Sequence, residues 1–299
     1  MNDSSKGAVM SGNHGRTALV TGGTGGIGAE VAAKLRAAGL TVFVTGRDAT
    51  RGEAVAAVLG ATFLSAEHGT VHGNLALAGL LRHRVTHLDV LVNNVGGAAW
   101  PDRTVTDEGH EAVLTLNYLG PVALTHALLP ALSPGATVVQ VVSSAFTMHT
   151  GDPFQEPAAY TAIRAYARAK QLSLLAAMSL ARRLDGRAVH VNAVNPGMAW
   201  TPGVQALTPR AVPAWRYIWP LVRAVQRRAS PEKAARVPAT LALTPDGTGR
   251  FHESNGAAKQ LPPRLRDPAL QDRAWQFAAD LAADLAAQPP AAVRRAAAD

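Results

Sequence analysis

The chain has 299 residues, 47% hydrophobic and 17% charged, enough for one large α/β domain or two small ones, and the even rhythm of its elements favours one. It has no cysteine, which excludes disulfides, thiolate zinc sites and cysteine nucleophiles and fits a reducing compartment. Its 29 Lys and Arg against 21 Asp and Glu give +8, but the excess lies in scattered arginines and short pairs such as Arg182-Arg183, without the interleaved aromatics of a nucleic-acid platform. A phosphorylated cofactor is a sufficient anionic partner. No apolar run approaches the roughly 18 residues that span a bilayer, and Met1 to Lys6 lack the apolar core of a signal peptide, so a cytoplasmic protein without an integral membrane segment is expected.

Residues 1–15, rich in Gly, Ser and Asn, read as a disordered leader. The pattern then alternates. Thr17 to Val20 is a short buried strand, Ile27 to Ala38 an amphipathic helix and Thr41 to Val44 a second strand, which together form a βαβ unit. A helix at Ala49 to Leu59, a strand at Ala61 to Ala66, a helix at His72 to Arg84 and a strand at Leu88 to Val92 follow. Next come helices at Glu108 to Leu119 and Val122 to Leu132, a strand at Ala136 to Val142, a long helix from Ala158 to Leu184 and a strand at Ala188 to Val194. Strands without polar alternation, separated by helices, predict an α/β fold: a single Rossmann-type, doubly wound parallel sheet with helices on both faces. After Val194 the rhythm breaks. Pro196 to Pro220 holds five prolines and three of the five tryptophans, and the segment 198–230 reads as a C-terminal substrate-covering extension. A helix from Pro231 to Leu243, a strand near Gly249 to Phe251 and a helix around Leu270 to Ala287 complete a domain of residues 16–287, with a flexible tail at 288–299.

Thr21-Gly22-Gly23-Thr24-Gly25-Gly26-Ile27-Gly28 lies between the first strand and first helix. Glycines there admit close backbone approach, and the helix N-terminus offers unpaired N–H groups to a pyrophosphate. Two registers fit, Gly23-x-Gly25-x-x-Gly28 and Thr21-Gly22-x-x-x-Gly26-Ile27-Gly28. The second strand ends in Thr45-Gly46-Arg47. Arginine there accommodates the 2′-phosphate of NADP, where a carboxylate would pair the 2′-hydroxyl of NAD, so NADP(H) is expected ahead of NAD(H). Further along, Tyr166 and Lys170 are one helical turn apart, which brings an ammonium near a phenol and predicts a lowered phenol pKa. Gly22, Arg47, Asn94, Ser144 and Asn195 all follow strand ends, where ligands of such sheets bind.

These residues resemble the short-chain dehydrogenase/reductase family. The resemblance runs from Thr17 to about Thr201 and rests on the glycine-rich turn, Asn93-Asn94-Val95-Gly96, Asn117, Ser144, Tyr166-x-x-x-Lys170 and Pro196-Gly197-x-x-x-Thr201. Thr45-Gly46-Arg47-Asp48, the long Ser144-to-Tyr166 interval and the C-terminal Arg250-Phe251 with Trp275 resemble the branch of retinol-dehydrogenase-like and WW-domain-oxidoreductase-like members. The resemblance implies hydride transfer between a nicotinamide and an alcohol or carbonyl, with Tyr166 exchanging the proton, Lys170 tuning Tyr166 and holding the nicotinamide ribose, and Ser144 completing the oxygen pocket. Asn117 would hold a helix bend and a water. Gly22, Thr24, Gly26, Ile27, Gly28, Arg47, Glu67, Asn94, Gly96, Pro196, Gly197 and Thr201 would line the cofactor with Tyr166 and Lys170. Glu67 stands where the family has an adenine-contacting aspartate, and Val95 replaces an alanine.

Competing assignments exist for both catalytic side chains. Ser143 and Ser144 point to opposite faces of the strand end, so only one can face substrate, and the family pattern selects Ser144. Tyr160 also has a basic residue four positions on, Arg164, but the smaller lysine favours Tyr166. The aromatics Trp200, Trp215, Tyr217 and Trp219 suit either a bulky apolar substrate or ordinary packing. Val212 to Val225 could touch a membrane surface, although Pro213 and Pro220 favour a lid. The pairs His68/His72 and His83/His87 have metal-clamping spacing, but no third ligand is in register, so no metal is expected. Relatives form dimers or tetramers through their long helices, which the C-terminal extension could instead cover. Two other readings fit the same residues: a non-catalytic NADP(H)-sensing protein, and a reductase of carbon-carbon double bonds.

Overall fold

The computed structural model describes residues 15–98, 100–201, 204, 217 and 219–288. The proposed leader and tail, apart from Gly15 and Gln288, lie outside the described residues, as do Trp215 and most of 202–218. Eight strands, β1 (Thr17–Val20), β2 (Thr41–Gly46), β3 (Thr62–Ser65), β4 (Leu88–Asn93), β5 (Leu132–Val141), β6 (His190–Val194), β7 (Phe251–His252) and β8 (Ala258–Lys259), form one sheet in the order β3-β2-β1-β4-β5-β6-β7-β8. Every pair is parallel except the final β7/β8 hairpin. The order reverses at β1/β4, so a crevice opens beyond the carboxyl ends of these two strands.

Alternation along each strand divides the core between two faces. Leu19 and Leu91 pack into one layer with α3 (Val71–Arg82), α5 (Gly120–Leu128), α6 (Ala162–Arg183) and α10 (Pro268–Ala286). Ala18, Val20, Val90 and Val92 pack into the other with α1 (Gly26–Ala37), α2 (Ala49–Leu59) and α9 (Arg236–Leu243). Leu19 and Leu91 are fully buried, each worth roughly 2 kcal/mol of removed apolar surface. The last helix, α10, lies along α6 and against α5 and α3, and Tyr118 donates from the core to the Ala274 carbonyl.

Differences from the sequence reading have local causes. The expected helix at Glu108 begins only at Ala112, because the Glu111 carboxylate accepts from Val113 N and Leu114 N and so fixes the start of α4 (Ala112–Leu114). The two helices expected around it are continuous, joined by a π-helical turn at Thr115–Leu119. By length and composition Ala112–Ala131 could cross a membrane, but 78% of its apolar window is buried inside the protein. The helix expected at Pro231 divides into α8 (Pro231–Ala234) and α9 at Ala235. A helix at Trp219–Arg227, α7, and strand β8 were not foreseen. Pro220 lies in the first turn of α7, where a missing N–H costs nothing.

Candidate active site

The glycine-rich turn follows β1, and α1 starts without a side-chain cap or an acidic residue in its first turn. The helices α2, α3 and α6 are capped by Asp48, Thr70 and Thr161, so the bare N-terminus of α1 leaves N–H groups and the positive dipole end facing the crevice. Gly22 and Gly26 adopt φ of 65° and 54°, which glycine alone takes without strain. A Cβ on Gly28 would lie 2.4 Å from the Gly22 carbonyl oxygen and 2.5 Å from Asn94 Nδ2. Asn94 itself is tied down: its side chain donates to the Thr21 carbonyl at 2.9 Å and its backbone N–H to Thr21 Oγ1 at 2.9 Å.

At the adenosine end the buried Thr24 packs against Gly46, and Arg51 in the first turn of α2 reaches its hydroxyl at 3.5 Å. Arg47 is exposed beside it, so two guanidinium groups flank this corner. Arg51 was not singled out in the sequence. Its signal was present as the first basic residue of the helix that Asp48 caps. Glu67 is exposed, and its carboxylate accepts from Gly69 N at 2.7 Å instead of facing the crevice alone. These features fit a dinucleotide: uncapped N–H groups for the pyrophosphate, a close-approach cradle that a side chain would fill, and cations at the ribose corner.

The residues expected to be catalytic lie near the ends of β4 and β5. Asn117, fully buried in the π-helical turn, donates to the Gly97 and Val113 carbonyls, both at 2.8 Å, and accepts from Gly97 N at 3.0 Å. The extra residue of that turn leaves Val113 O to the Asn117 side chain. A Cβ on Gly96 would stand 2.7 Å from both Asn117 Oδ1 and Lys170 Nζ, so the three converge on one spot. Lys170, 2% exposed, donates to the Val141 carbonyl at 3.0 Å, and its ammonium lies 5.7 Å from the Tyr166 ring centroid. Burial pushes its pKa down to about 8.

One expectation is corrected here. The Tyr166 phenol is raised by burial above its ordinary value, not lowered, and the opposing influence is a hydrogen bond with Ser143 rather than the Lys170 charge. Of the two serines, Ser143 rather than Ser144 is the one whose hydroxyl acts on the Tyr166 phenol. Ser143 is extended at the end of β5 and caps a 3₁₀ turn, Ser144–Met148, by accepting from Ala145 N at 3.2 Å, and that turn carries Ser144 outward to an exposed position. The two serines thus differ in setting, Ser143 half-buried and Ser144 exposed. Tyr160 is committed elsewhere, donating to Glu111 at 3.1 Å, and burial and that carboxylate raise its pKa.

On the far wall Gly197 has φ of 80° and its N–H donates to Asn195 Oδ1 at 3.2 Å, with Pro196 buried beside it. Thr201 accepts from Val204 N at 3.4 Å. Trp200 stacks under Arg223, whose guanidinium carbon is 4.4 Å from a Trp200 ring centroid, while Tyr217 is exposed. The histidine pairs split: His68 is buried on Thr45 and Asn74, and His72 faces Glu108 at 2.7 Å.

Fold and site together define a doubly wound oxidoreductase with its reactive side chains at the strand ends of a nucleotide crevice. A family model described as short chain dehydrogenase matches residues 16–211, more than half of the chain. A probable oxidoreductase of Streptomyces lividans is 32% identical over 89% of this chain and 97% of its own length, and human retinol dehydrogenase 13 is 28% identical over 89% and 84%. The solved Pseudomonas aeruginosa RhlG/NADP active-site complex superposes with a TM-score of 0.64 at 26% identity, over 89% of this chain and all of that one. The chain belongs to the short-chain dehydrogenase/reductase family, in its retinol-dehydrogenase-like branch.

Proposed function

We propose that the protein interconverts an alcohol and its ketone or aldehyde with NADP(H), with Tyr166 as the proton donor and acceptor. The observation that carries this reading is the meeting of Tyr166, Ser143 and buried Lys170 at the end of β5, across the switch point from the uncapped α1. A nicotinamide bound there would supply or accept the hydride. The protein's part is electrostatic: a phenol with a raised pKa stays protonated at neutral pH and can donate to a carbonyl oxygen as charge develops on it. The Ser143 hydroxyl, which acts on the phenol, would share that oxygen. Lys170 holds a positive charge beneath the phenol and, with Asn117, lines the floor below Gly96.

Arg47 and Arg51 at the Thr24 corner support NADP(H) over NAD(H), since a 2′-phosphate gains charge-assisted bonds that a hydroxyl does not. Trp200, Tyr217 and the exposed Met148 and Met198 support a bulky apolar substrate. We place the reaction in the cytoplasm. The seat of α10 along α6 supports a monomer in which this C-terminal helix covers the helices that relatives use for association. The test is oxidation of NADPH against NADH over a panel of aldehydes and ketones. NADPH-dependent reduction of at least one carbonyl is expected. Tight NADPH binding with no turnover on any carbonyl would leave a sensing protein instead, and saturation of an enone carbon-carbon bond would leave a double-bond reductase.

A further inference from the structure

Beneath the pyrophosphate turn is a buried polar chain that the catalytic reading does not use. Asn74, 1% exposed, donates from Nδ2 to the His68 carbonyl at 3.2 Å and to the Thr70 carbonyl at 2.7 Å, which fixes its amide orientation. Its Oδ1 therefore accepts, at 3.0 Å, from His68 Nδ1, and that nitrogen carries the proton. The other ring nitrogen, Nε2, is then a lone pair, and the Thr45 hydroxyl 2.7 Å away must donate to it. With its proton so committed, Thr45 Oγ1 presents lone pairs to the backbone N–H of Gly22, which donates to it at 3.1 Å. Each hydrogen in this series has one acceptor, so its direction is determined from α3 to the first glycine of the turn.

We propose that His68 is a positioning residue for the cofactor: as the neutral Nδ1–H tautomer it orients the Thr45 hydroxyl, which sets the Gly22 peptide and with it the pyrophosphate cradle. The charged groups facing the imidazole are Glu67 and Arg47, with opposite influences, and burial favours the neutral ring that the chain of bonds requires. The geometry around Gly22 shows why its peptide plane matters. A Cβ there would be 3.0 Å from Val95 Cγ2 and 3.2 Å from Asn94 Nδ2, and the Gly22 carbonyl faces Gly28. The N–H that Thr45 holds belongs to the Thr21–Gly22 peptide, whose Thr21 carbonyl accepts from Asn94 Nδ2, so this plane is held at both ends and fixes where the chain enters Gly22, whose own carbonyl borders Gly28.

This inference rests on the dinucleotide reading, and the experiment separates the two. NADPH and NADH are titrated by fluorescence into wild type, H68L, H68Q, T45V and the H68L/T45V double variant of the full chain. Loss of one net hydrogen bond's orienting effect corresponds to about a tenfold change in Kd. We expect H68L and T45V each to weaken both nucleotides by about tenfold, and alike, because the pyrophosphate is common to them. The double variant should be no more than about twofold weaker than either single one, since both cut the same series. H68Q, whose amide can accept from Thr45 and donate to Asn74, should recover to within about twofold of wild type. H68L binding as tightly as wild type, or losses that multiply in the double variant, would overturn the proposal. If H68L does not fold, T45V, isosteric and one bond nearer Gly22, takes its place, and an unchanged Kd there overturns it equally. Failure of wild type to bind either nucleotide overturns the dinucleotide reading itself.

Discussion

The two ends of the crevice are built from opposite materials. At the pyrophosphate end the chain works by leaving side chains out: Gly22, Gly26 and Gly28 keep the backbone bare, and no residue caps α1. At the nicotinamide end it works by taking titratable side chains out of water, with Lys170 buried and Tyr166 raised. A bare backbone cannot be tuned by small chemical changes, only blocked, whereas buried ionisable groups respond to pH and to every neighbour. Substitutions should therefore fail in different ways at the two ends.

The largest effect is expected at the titratable end. Lys170→Met should lower turnover by about a hundredfold or more, read as carbonyl-dependent NADPH oxidation, through loss of the charge beneath Tyr166. The same variant tests the burial. A folded pKa of about 8 lies below the unfolded value of 10.5, so the unfolded chain binds more protons between the two and wild-type stability rises with pH across that window. Below it both states are charged and the penalty is complete; above it both are neutral. The span corresponds to about 3 kcal/mol, so urea unfolding should find K170M more stable than wild type at pH 7 by up to that amount, with the gap closing toward pH 10.5. A constant gap would refute it.

At the bare end Gly28→Ala should cost roughly 1–3 kcal/mol of stability and abolish measurable NADPH binding, because its methyl meets backbone at Gly22. Unchanged binding would show that the turn has slack. A finer comparison lies between the two serines. Ser143→Ala should lower kcat by at least about tenfold and by more than Ser144→Ala does. The reverse order would restore the second serine to the oxygen pocket. The smallest effect belongs to Arg47→Ala, which should raise the KM for NADPH by about tenfold and leave that for NADH nearly unmoved. Equal losses for both nucleotides would remove the 2′-phosphate contact.

The same contrast governs what could be read from the sequence. The glycine-rich turn was legible because it is local: strand, glycines and helix are contiguous, and so are Tyr166 and Lys170 on one helical face. The settings of the two serines were not, because they depend on a 3₁₀ turn after β5 that leaves Ser144 exposed, and neither residue type nor spacing encodes that. The direction of the Tyr166 shift was missed for a related reason. Spacing on a helix gives proximity to Lys170, but burial is a property of everything packed around the phenol, and here it sets the direction. His68 looked like half of a metal clamp at helical spacing, yet it precedes α3 and points at Thr45, 23 residues away in the chain.

The most direct test of the central claim is Tyr166→Phe, assayed with NADPH on the carbonyl that wild type reduces fastest, with NADPH binding measured on the same protein. The account predicts a loss of about a hundredfold or more in kcat, with nucleotide still bound. Turnover equal to wild type would contradict it, since among the described residues no other phenol at the end of β5 is placed to give up the proton.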